Sequence, residues 1–580
     1  MAGTLATEAR YDVTSLVELL RLRAANQPDD RAFVFLDDRQ NEAATLTFAA
    51  LERRALAVAA ALSQKGKAGD RALLLFPPGL DFVVALFGCL CAGVLAVPAM
   101  VPRRNSSRDA TAGIVADCAP RFVLTNADLL AAREDLAQRI AGHGIELLAV
   151  DAVERPASRL DLAPRREDIA LLQYTSGSTG APKGVTVSHG NLLANLEMIR
   201  IAAGNTRHST YVSWVPLYHD LGLILNALQA IYIGALCVLM SPAGFLQRPL
   251  GWLRAISAYR AEVAGGPNFA FDLCVTRCRP EQMDGIDLSS WKVAFCGAET
   301  VRAETLAGFT AKFAPYGFDP QAMWPGYGMA EATVLISAGH RGRGMVTRTV
   351  SAAGLQRHVA VSPSEPGDAQ DVVGCGRAIT RTRIAIVDPA TQRPLPLLQV
   401  GEIWAAGPNV AQGYWRNPEA TREVFDGVRA GARPGGGWLR TGDLGFLDAD
   451  GELFVTGRSK ELIVIRGVNH YPQDIEDTVQ RCHPALRAHG GAAFSVPDAS
   501  GVETLVVVQE VERTERHRIA ADDVAAEIRE AVISEHDIAP SAVALIRPGT
   551  LPKTTSGKIQ RGLTRRLWLA GSLDVLEPGR

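Results

Sequence analysis

Residues 174–184, with the sequence YTSGSTGAPKG, constrain the fold of this chain more than any other stretch. They combine three glycines, which permit turns that other residues resist, with hydroxyl side chains and one cation, Lys183. Such a loop can direct several N–H groups and hydroxyls at a polyanion. The flanking residues 169–174 and 185–187 are short and apolar or β-branched, which predicts a strand on each side. We therefore expect a phosphate-binding loop that joins strand to strand and does not begin a helix.

This pattern differs from the Walker A loop, which requires G-x-x-x-x-G-K-[ST]. Counted from Gly177, the sixth position is Pro182, so the Walker pattern is not met. A flexible Ser/Gly surface loop is the alternative, because Ser, Thr and Gly clusters are common in ordinary loops. A lysine beside a proline, with no other charge in the segment, favours the phosphate.

Length and composition exclude several classes of protein. The chain has 580 residues, which predicts two or more folding units. It has 60 Lys and Arg residues and 62 Asp and Glu residues, which gives a net charge of −2. It therefore lacks the excess of positive charge that is typical of nucleic-acid-binding proteins. The nine cysteines are scattered and form no paired C-x-x-C motifs, which favours a reducing cytoplasm over a disulfide-rich secreted scaffold.

Two uncharged runs, residues 82–100 and 221–240, are about as long as the ~20 residues of a membrane span. Each run is interrupted by a glycine, Gly93 or Gly234, and continues with strand-like residues. This order predicts a helix, a tight turn and a buried strand, and no membrane span. The first ten residues lack a basic stretch followed by an apolar one, so no signal peptide is predicted.

The order of elements indicates an α/β protein, because strand-like and helical segments alternate over most of the chain. Residues 340–374 are rich in Arg, Gly, Ser and Pro and are too long for an ordinary connection, which predicts an insertion. The pattern changes near residue 457, and the remaining 120 or so residues suffice for a small α+β unit. We predict a large domain over residues 1–457, a hinge at 458–460 and a small domain over 461–580.

Several polar residues are candidates for a binding site. Gly326 and Gly328 flank Tyr327, so a planar ligand could approach its ring closely. His219 ends a strand and turn rich in aromatic residues, although a lone histidine there is more often structural. Lys558 lies in a Gly-containing loop near the carboxyl terminus, where a solvated cationic end is the alternative.

Taken together, residues 174–184, 326–331, 440–443 with 457–458, and 552–558 resemble the adenylate-forming superfamily of acyl-CoA synthetases, peptide-synthetase adenylation domains and luciferases. The matches follow the family's order over nearly the whole chain. Residues 213–223, 240–250, 266–270 and 466–474 resemble one branch, the fatty acyl-AMP ligases, and the insertion at 340–374 lies where that branch has one.

The resemblance implies a fold and a set of site residues. The fold is α/β, with a large N-terminal domain of mixed, mostly parallel sheets sandwiched with helices and a small mobile α+β C-terminal domain. The implied nucleotide-binding residues are Thr175, Ser176, Gly177, Ser178, Thr179, Gly180, Lys183, Gly297, Ala298, Tyr327, Gly328, Met329, Asp443 and Arg458. The implied catalytic residues are Lys558, His219 and Glu331, with Thr175 and Glu331 also holding Mg²⁺ and Lys460 at the hinge. The implied acyl-tunnel residues are Ser213, Trp214, Leu223, Asn268 and Phe269.

The implied reaction is the attack of a fatty carboxylate on the α-phosphate of ATP, followed by transfer of the acyl group to the phosphopantetheine thiol of a separate acyl carrier protein. Positioned cations and donors suit this chemistry because two anions must meet. Two other functions stay open: a long- or medium-chain acyl-CoA synthetase, and a non-catalytic protein that binds ATP or acyl-AMP. No nucleic-acid partner is expected.

Overall fold

The computed structural model describes residues 12–102, 110–135, 144–153, 163–175, 182–430, 437–498, 501–516, 518–554 and 557–576. The strands are β1 Arg31–Leu36, β2 Glu42–Thr47, β3 Arg71–Leu75, β4 Leu95–Ala99, β5 Phe122–Thr125, β6 Glu146–Ala149, β7 Ile169–Thr175, β8 Lys183–Ser188, β9 Tyr211–Ser213, β10 Cys237–Met240, β11 Val263–Gly266, β12 Val293–Cys296, β13 Met323–Tyr327, β14 Ser337–Ala338, β15 Thr347–Ser351, β16 Ala369–Val373, β17 Arg377–Ala378, β18 Arg383–Val387, β19 Gly401–Ala406, β20 Leu439–Leu447, β21 Leu453–Arg458, β22 Ile463–Ile465, β23 Val468–His470, β24 Leu486–Pro497, β25 Glu503–Val511 and β26 Pro540–Ile546.

The α-helices are α1 Leu16–Asn26, α2 Phe48–Lys65, α3 Asp81–Ala92, α4 Ala110–Cys118, α5 Ala127–Ala132, α6 His189–Ala203, α7 Gln229–Ile233, α8 Pro242–Gln247, α9 Leu250–Ala258, α10 Asn268–Arg277, α11 Ala303–Phe313, α12 Ala352–Gln356, α13 Pro418–Phe425, α14 Pro472–Cys482, α15 Ala521–His536 and α16 Arg561–Leu569. A π-helix, Leu221–Leu228, leads directly into α7.

Two large sheets form the amino-terminal part of the described chain. One has nine strands in the order β17-β14-β13-β12-β11-β9-β10-β1-β2, and the other has six in the order β6-β5-β3-β4-β7-β8. The central pairs are parallel, while β1–β2, β13–β14, β14–β17 and β7–β8 are antiparallel. Buried side chains from both sheets and their helices, including Phe33, Phe87 and Trp252, form one continuous core. The predicted mixed, mostly parallel α/β architecture is therefore confirmed.

Both uncharged runs fold as predicted. The first forms α3, turns at the left-handed Gly93 and continues as β4. The second forms the π-helix and α7, turns at Gly234 with φ +75° and continues as β10. Within the described ranges, no helix combines the length and apolarity needed to cross a bilayer.

The predicted insertion contains its own small elements. Strands β15 and β16 form a separate antiparallel sheet, and α12 follows β15 directly. Its apolar residues, among them Val350 and Leu355, pack in a cluster with Phe454 and with Tyr471 from the segment before α14. The insertion thus contacts the residues that follow the predicted hinge.

The carboxyl-terminal residues form the α+β layout that the sequence predicts. Strands β24, β25 and β26 make a three-stranded sheet, and β22 and β23 form a hairpin. Ile475 of α14, Val507 of β25 and Ile528 of α15 are buried in a cluster separate from the main core. A separate core supports a small second domain, while the exact boundary at residues 458–460 stays a prediction.

Candidate active site

The structure describes the two strands that flank the predicted phosphate-binding loop. Strands β7 and β8 are antiparallel neighbours, and the pair Thr175–Lys183 closes the ladder beside the loop. The segment therefore joins strand to strand, as expected. The loop residues themselves, Ser176, Gly177, Ser178, Thr179 and Gly180, lie outside the described residues.

Lys183 and Glu331 are linked through Tyr414, which sequence reasoning missed. The Lys183 Nζ lies 5.0 Å from the centre of the Tyr414 ring. The Tyr414 hydroxyl donates a 2.7 Å hydrogen bond to Oε1 of Glu331. Burial raises the pKa of Glu331, and this hydrogen bond opposes the rise. The one sequence feature that could have indicated Tyr414 as a site residue is its position directly after Gly413.

The carboxyl ends of four neighbouring parallel strands meet along one edge of the nine-stranded sheet. Gly297 and Ala298 follow β12, while Tyr327 ends β13. Asn268 follows β11, and Trp214 follows β9. Ligands of open α/β sheets bind outside the carboxyl ends of the strands. Residues that the sequence assigned separately to nucleotide and acyl group therefore lie along one edge.

Tyr327, Asp443 and Arg458 form one hydrogen-bonded group. The Tyr327 hydroxyl donates to Oδ2 of Asp443 at 2.8 Å, and Nε of Arg458 lies 3.0 Å from Oδ1. Asp443 and Arg458 are direct cross-strand partners on β20 and β21. Both carboxylate oxygens are thus oriented by a donor, which fixes the side chain for a ligand.

Gly328 permits the turn that follows Tyr327. A Cβ at this position would lie only 1.7 Å from the carbonyl oxygen of Val334. No larger residue fits this approach without moving the backbone. Met329 continues the same turn and is partly buried against the core.

Lys558 is delivered to this group by the carboxyl-terminal loop. Burial lowers the pKa of Lys558, and the nearby Arg458 guanidinium lowers it further, while Asp220, Glu299 and Asp443 act in the opposite direction. At the tip of the loop, a Cβ on Gly557 would be in contact with the Phe269 ring, 3.4 Å from its Cε1. The loop that carries Lys558 therefore lies beside Asp443 and Phe269 of the large domain.

Asp220 and Glu299 are the other two residues that sequence reasoning missed. Both carboxylates raise the pKa of Lys558, and Asp220 also helps to raise the pKa of Glu331. Asp220 directly follows His219, and Glu299 directly follows Ala298. Their positions just after predicted strands were therefore the sequence feature that could have indicated them. His219 itself is half-buried beside the Tyr218 ring, 4.7 Å between centroids, and its carbonyl accepts from the Leu223 N–H at 2.8 Å.

The predicted acyl-tunnel residues lie against an aromatic cluster. The Trp214 ring stacks on Phe245 at 4.1 Å and meets the edge of Phe269 at 5.7 Å. Leu223 and Ser213 are buried behind this cluster. Asn268 differs, because its amide donates to Glu299 Oε1 at 3.0 Å and to the Thr300 carbonyl at 2.9 Å. Asn268 therefore holds the segment that carries Glu299, and its place in the acyl tunnel stays a prediction.

Lys460, the predicted hinge residue, lies in a single 3₁₀ turn, Ser459–Glu461, and is exposed. This turn directly follows β21, the strand that ends with Arg458. A rotation of the small domain at this turn would begin beside the Asp443–Arg458 pair.

The comparisons with known proteins agree with this geometry. The family model described as AMP-binding enzyme matches residues 20–415, and the model described as Disco-interacting protein 2-like, AMP domain, matches residues 460–577. The first match covers well over half of the chain. The chain belongs to the AMP-binding enzyme family.

Relatives of this chain also extend over its length. It is 42% identical to the medium-chain-fatty-acid–[acyl-carrier-protein] ligase JamA of Moorena producens, over 98% of this chain and 97% of that protein. A solved structure from studies of fatty acyl-adenylate ligases of E. coli and L. pneumophila matches with a TM-score of 0.86 at 31% identity, covering 97% and 98% of the two chains. The L. pneumophila fatty acyl-adenylate ligase in complex with acyl adenylate and pyrophosphate matches at 40% identity and a TM-score of 0.74, covering 98% of each chain.

Proposed function

We propose that this member of the AMP-binding enzyme family is a fatty acyl-AMP ligase. It activates a fatty acid with ATP, releases pyrophosphate and passes the acyl group to the phosphopantetheine thiol of a separate acyl carrier protein. The observation that carries the proposal is the hydrogen-bonded group of Tyr327, Asp443 and Arg458, which lies close enough to Lys558 that Arg458 lowers the pKa of this lysine and Asp443 raises it. A cation is thereby available where a nucleotide site and an apolar cluster meet. The relatives named as fatty acid ligases support the same reaction.

The residues then have separate tasks in the first half-reaction. The loop between β7 and β8 holds the β- and γ-phosphates, with Lys183 as its cation. Asp443 accepts hydrogen bonds from the ribose hydroxyls, and the Tyr327 ring lies against adenine. Lys558 bridges the carboxylate and the α-phosphate, so that the two anions can approach one another. As charge develops on departing pyrophosphate, these fixed donors stabilise it.

Glu331 and Thr175 fit a Mg²⁺ ion by the chemistry of their donors. Mg²⁺ prefers oxygen ligands and is usually bound by one or two carboxylates together with substrate phosphates. Glu331 is a buried carboxylate with one oxygen held by Tyr414, and Thr175 adds a hydroxyl at the edge of the phosphate loop. Mg²⁺ bound there would neutralise part of the triphosphate charge. Glu331 must be ionised for this role.

His219 and the aromatic cluster receive the fatty acid. His219 precedes the helical segment that contains Leu223, and Trp214 and Phe269 form an apolar wall beside it. Gly557, next to Lys558, faces the same wall, where an added Cβ would be in contact with the Phe269 ring. An acyl chain along this wall would place its carboxylate at the lysine.

The carrier protein is the proposed acceptor, with CoA as the alternative. The insertion packs against Tyr471, and the Asn469 amide donates to the carbonyl of Gln356 at 2.7 Å. These contacts restrain the small domain in the present arrangement, which opposes the rotation that CoA transfer needs. Cytoplasmic localisation is part of the proposal, since all nine cysteines are unpaired.

The test is mass spectrometry of the products from ATP, Mg²⁺ and a ladder of fatty acids, with CoA and a holo carrier protein offered in parallel. We expect fatty acid-dependent pyrophosphate and acyl-AMP, with acyl transfer to the carrier but little acyl-CoA. Acyl-CoA release as fast as adenylate formation would instead identify an acyl-CoA synthetase. Nucleotide binding without pyrophosphate release would identify a non-catalytic protein.

A further inference from the structure

We propose that His489 is a positioning residue for Lys558, linking the loop that carries this lysine to the large domain when the cleft is closed. The inference rests on the proposed function, because it takes Lys558 as the cation of the adenylation step. His489 lies in β24 of the small domain and belongs to no motif of the nucleotide site.

The backbone of His489 is in an unfavourable conformation. Its φ of +54° lies in the left-handed region, which costs a non-glycine residue free energy unless the surroundings hold it there. It interrupts β24, whose pairing with β25 shifts register between Leu486 and Gly491. Both backbone groups are bonded: the N–H donates to Oε1 of Gln480 at 2.7 Å, and the carbonyl accepts from Nζ of Lys553 at 2.6 Å. The strained conformation therefore aims the carbonyl at the catalytic loop.

Lys553 stands at the base of that loop. It forms an isolated antiparallel bridge with Ile559, and between them the Thr554 N–H donates to the Lys558 carbonyl at 2.7 Å. The Lys558 N–H in turn donates to Oγ1 of Thr554 at 3.0 Å. These contacts tie residues 553–554 to residues 558–559, so anchoring Lys553 also restrains Lys558.

The imidazole of His489 reaches the large domain. Its Nε2 lies 2.7 Å from Oδ2 of Asp272 on α10, and its Nδ1 lies 3.4 Å from Nη1 of Arg302. One neutral tautomer satisfies both contacts, because Nε2–H donates to the carboxylate while Nδ1 accepts from the guanidinium. Asp272 also accepts from Thr305 at 3.0 Å, and Arg302 pairs with Asp477 of the small domain at 2.8 Å.

The loop is thus tied at its base to one helix of the large domain. Asp272 of α10 binds the imidazole whose backbone anchors the loop base. Near the tip, Gly557 faces the ring of Phe269 on the same helix, close enough that an added Cβ would be in contact with it. Removing the imidazole removes the link between α10 and the loop base. Because misplacement of a catalytic group by about 1 Å can cost on the order of 10²-fold in rate, this link should influence catalysis.

The decisive variant is His489→Gly, which suits the left-handed backbone and keeps the carbonyl that Lys553 contacts. We measure adenylation of laurate with ATP and Mg²⁺ by trapping the adenylate with hydroxylamine. The kcat should fall about ten- to a hundredfold, with the KM for ATP and laurate nearly unchanged because ground-state binding is not removed. His489→Gln, whose amide can both donate and accept, should recover part of kcat.

Arg481→Ala is the matched control. Arg481 pairs with Glu304 at 2.8 Å across the same two domains, but both side chains are exposed, and their hydrogen bonds and ion pairs involve no described residue of the loop. Such surface pairs contribute little, so kcat should stay within about twofold of the wild type. An equal fall in Arg481→Ala would assign the effect to general domain docking and overturn the proposal.

Hydrogen–deuterium exchange separates this inference from the proposed function. Peptides spanning residues 551–560 should exchange faster in His489→Gly than in the wild type, whether or not laurate is a substrate. Unchanged exchange, or an unchanged kcat, would overturn the positioning role. A wild type that forms no adenylate with any fatty acid would refute the function, while the exchange comparison would still test the link.

Discussion

At the scale of single residues, the proposed site places opposite charges close together. Its cation, Lys558, comes from the carboxyl-terminal loop. Asp220, Glu299 and Asp443 favour its charged form, while burial and Arg458 oppose it. Lys558→Met keeps much of the volume but removes the charge. We expect adenylate formation, measured by pyrophosphate release, to fall about 10²- to 10³-fold, as when one donor of a preorganised site is lost. Lys65→Met, which removes only a surface pair with Glu146, should have no effect.

The acidity of Glu331 provides a second prediction for a single residue. The Tyr414 hydroxyl lowers the pKa of this carboxyl group, which burial otherwise raises. Tyr414→Phe keeps the ring beside Lys183 but removes the hydrogen bond, so the pKa of Glu331 should rise further. In the proposed mechanism Glu331 acts in its ionised form, so the acid limb of the kcat/KM profile should move to higher pH. Tyr211→Phe, which removes a buried hydroxyl bonded to Asn205, should leave that limb in place.

At the scale of elements, the packing of the insertion formed by β15, α12 and β16 should control whether CoA can accept the acyl group. Leu355 is 1% exposed and packs in the cluster that includes Tyr471. Leu355→Ala should destabilise this cluster by about 2–5 kcal/mol and increase acyl-CoA formation relative to acyl-AMP. Val361, 44% exposed in the same insertion, gives the control, and Val361→Ala should change stability by less than about 0.5 kcal/mol. Urea unfolding and product analysis measure the two effects. Loss of stability without added acyl-CoA would contradict the restraint.

Elements with a strong apolar pattern could be predicted from the sequence. Elements that are mostly exposed, or that involve hydrogen bonds of side chains, could not. The helix–turn–strand units around Gly93 and Gly234 follow from uncharged runs broken by glycine. Strand β2 was missed because it is an edge strand with four consecutive exposed residues, and so shows no buried face. The π-helix contains a side-chain contact that an apolar pattern does not predict: the Asn226 amide donates to the Leu221 carbonyl at 2.8 Å. Tyr414 was missed at the site because its role depends on tertiary contact with Glu331.

At the scale of the whole molecule, the proposed site combines residues from the small and the large domain. Lys558 and His489 come from the small domain, while Asp443, Asp272 and Phe269 belong to the large one. No local pattern predicts how these surfaces meet, because the contacts join residues more than a hundred positions apart in the chain. The resemblance predicted the site residues, which stay predictions, and the structure adds the neighbours that contact them. Conditions that alter docking should therefore alter adenylation.

One such condition is pH, through Asp474 on α14. Burial raises the pKa of Asp474 to about 7 and that of neighbouring Asp477 to about 6. Gln370 of the insertion and Arg302 of the large domain face Asp474 and lower its pKa, while Asp477 and Glu476 on its own helix raise it. Burial has the largest effect, and docking contributes to this burial because Gln370 and Arg302 lie outside the small domain. If undocking returns the carboxyl to its ordinary pKa of 3.8, the docked state binds more protons between about pH 4 and pH 7. Raising the pH through this range should therefore favour undocking.

Asp474→Asn keeps the side chain neutral in both states and should weaken this pH dependence, leaving the smaller contribution of Asp477. Energy transfer between dyes placed on the two domains, followed from pH 5 to pH 8, measures docking directly. The wild type should lose transfer as the pH rises, and Asp474→Asn should lose less. Asp450→Asn, at an exposed hairpin turn, should follow the wild type. Equal slopes for wild type and Asp474→Asn would show that Asp474 is not the group through which pH acts, because a neutral amide can release no proton on undocking.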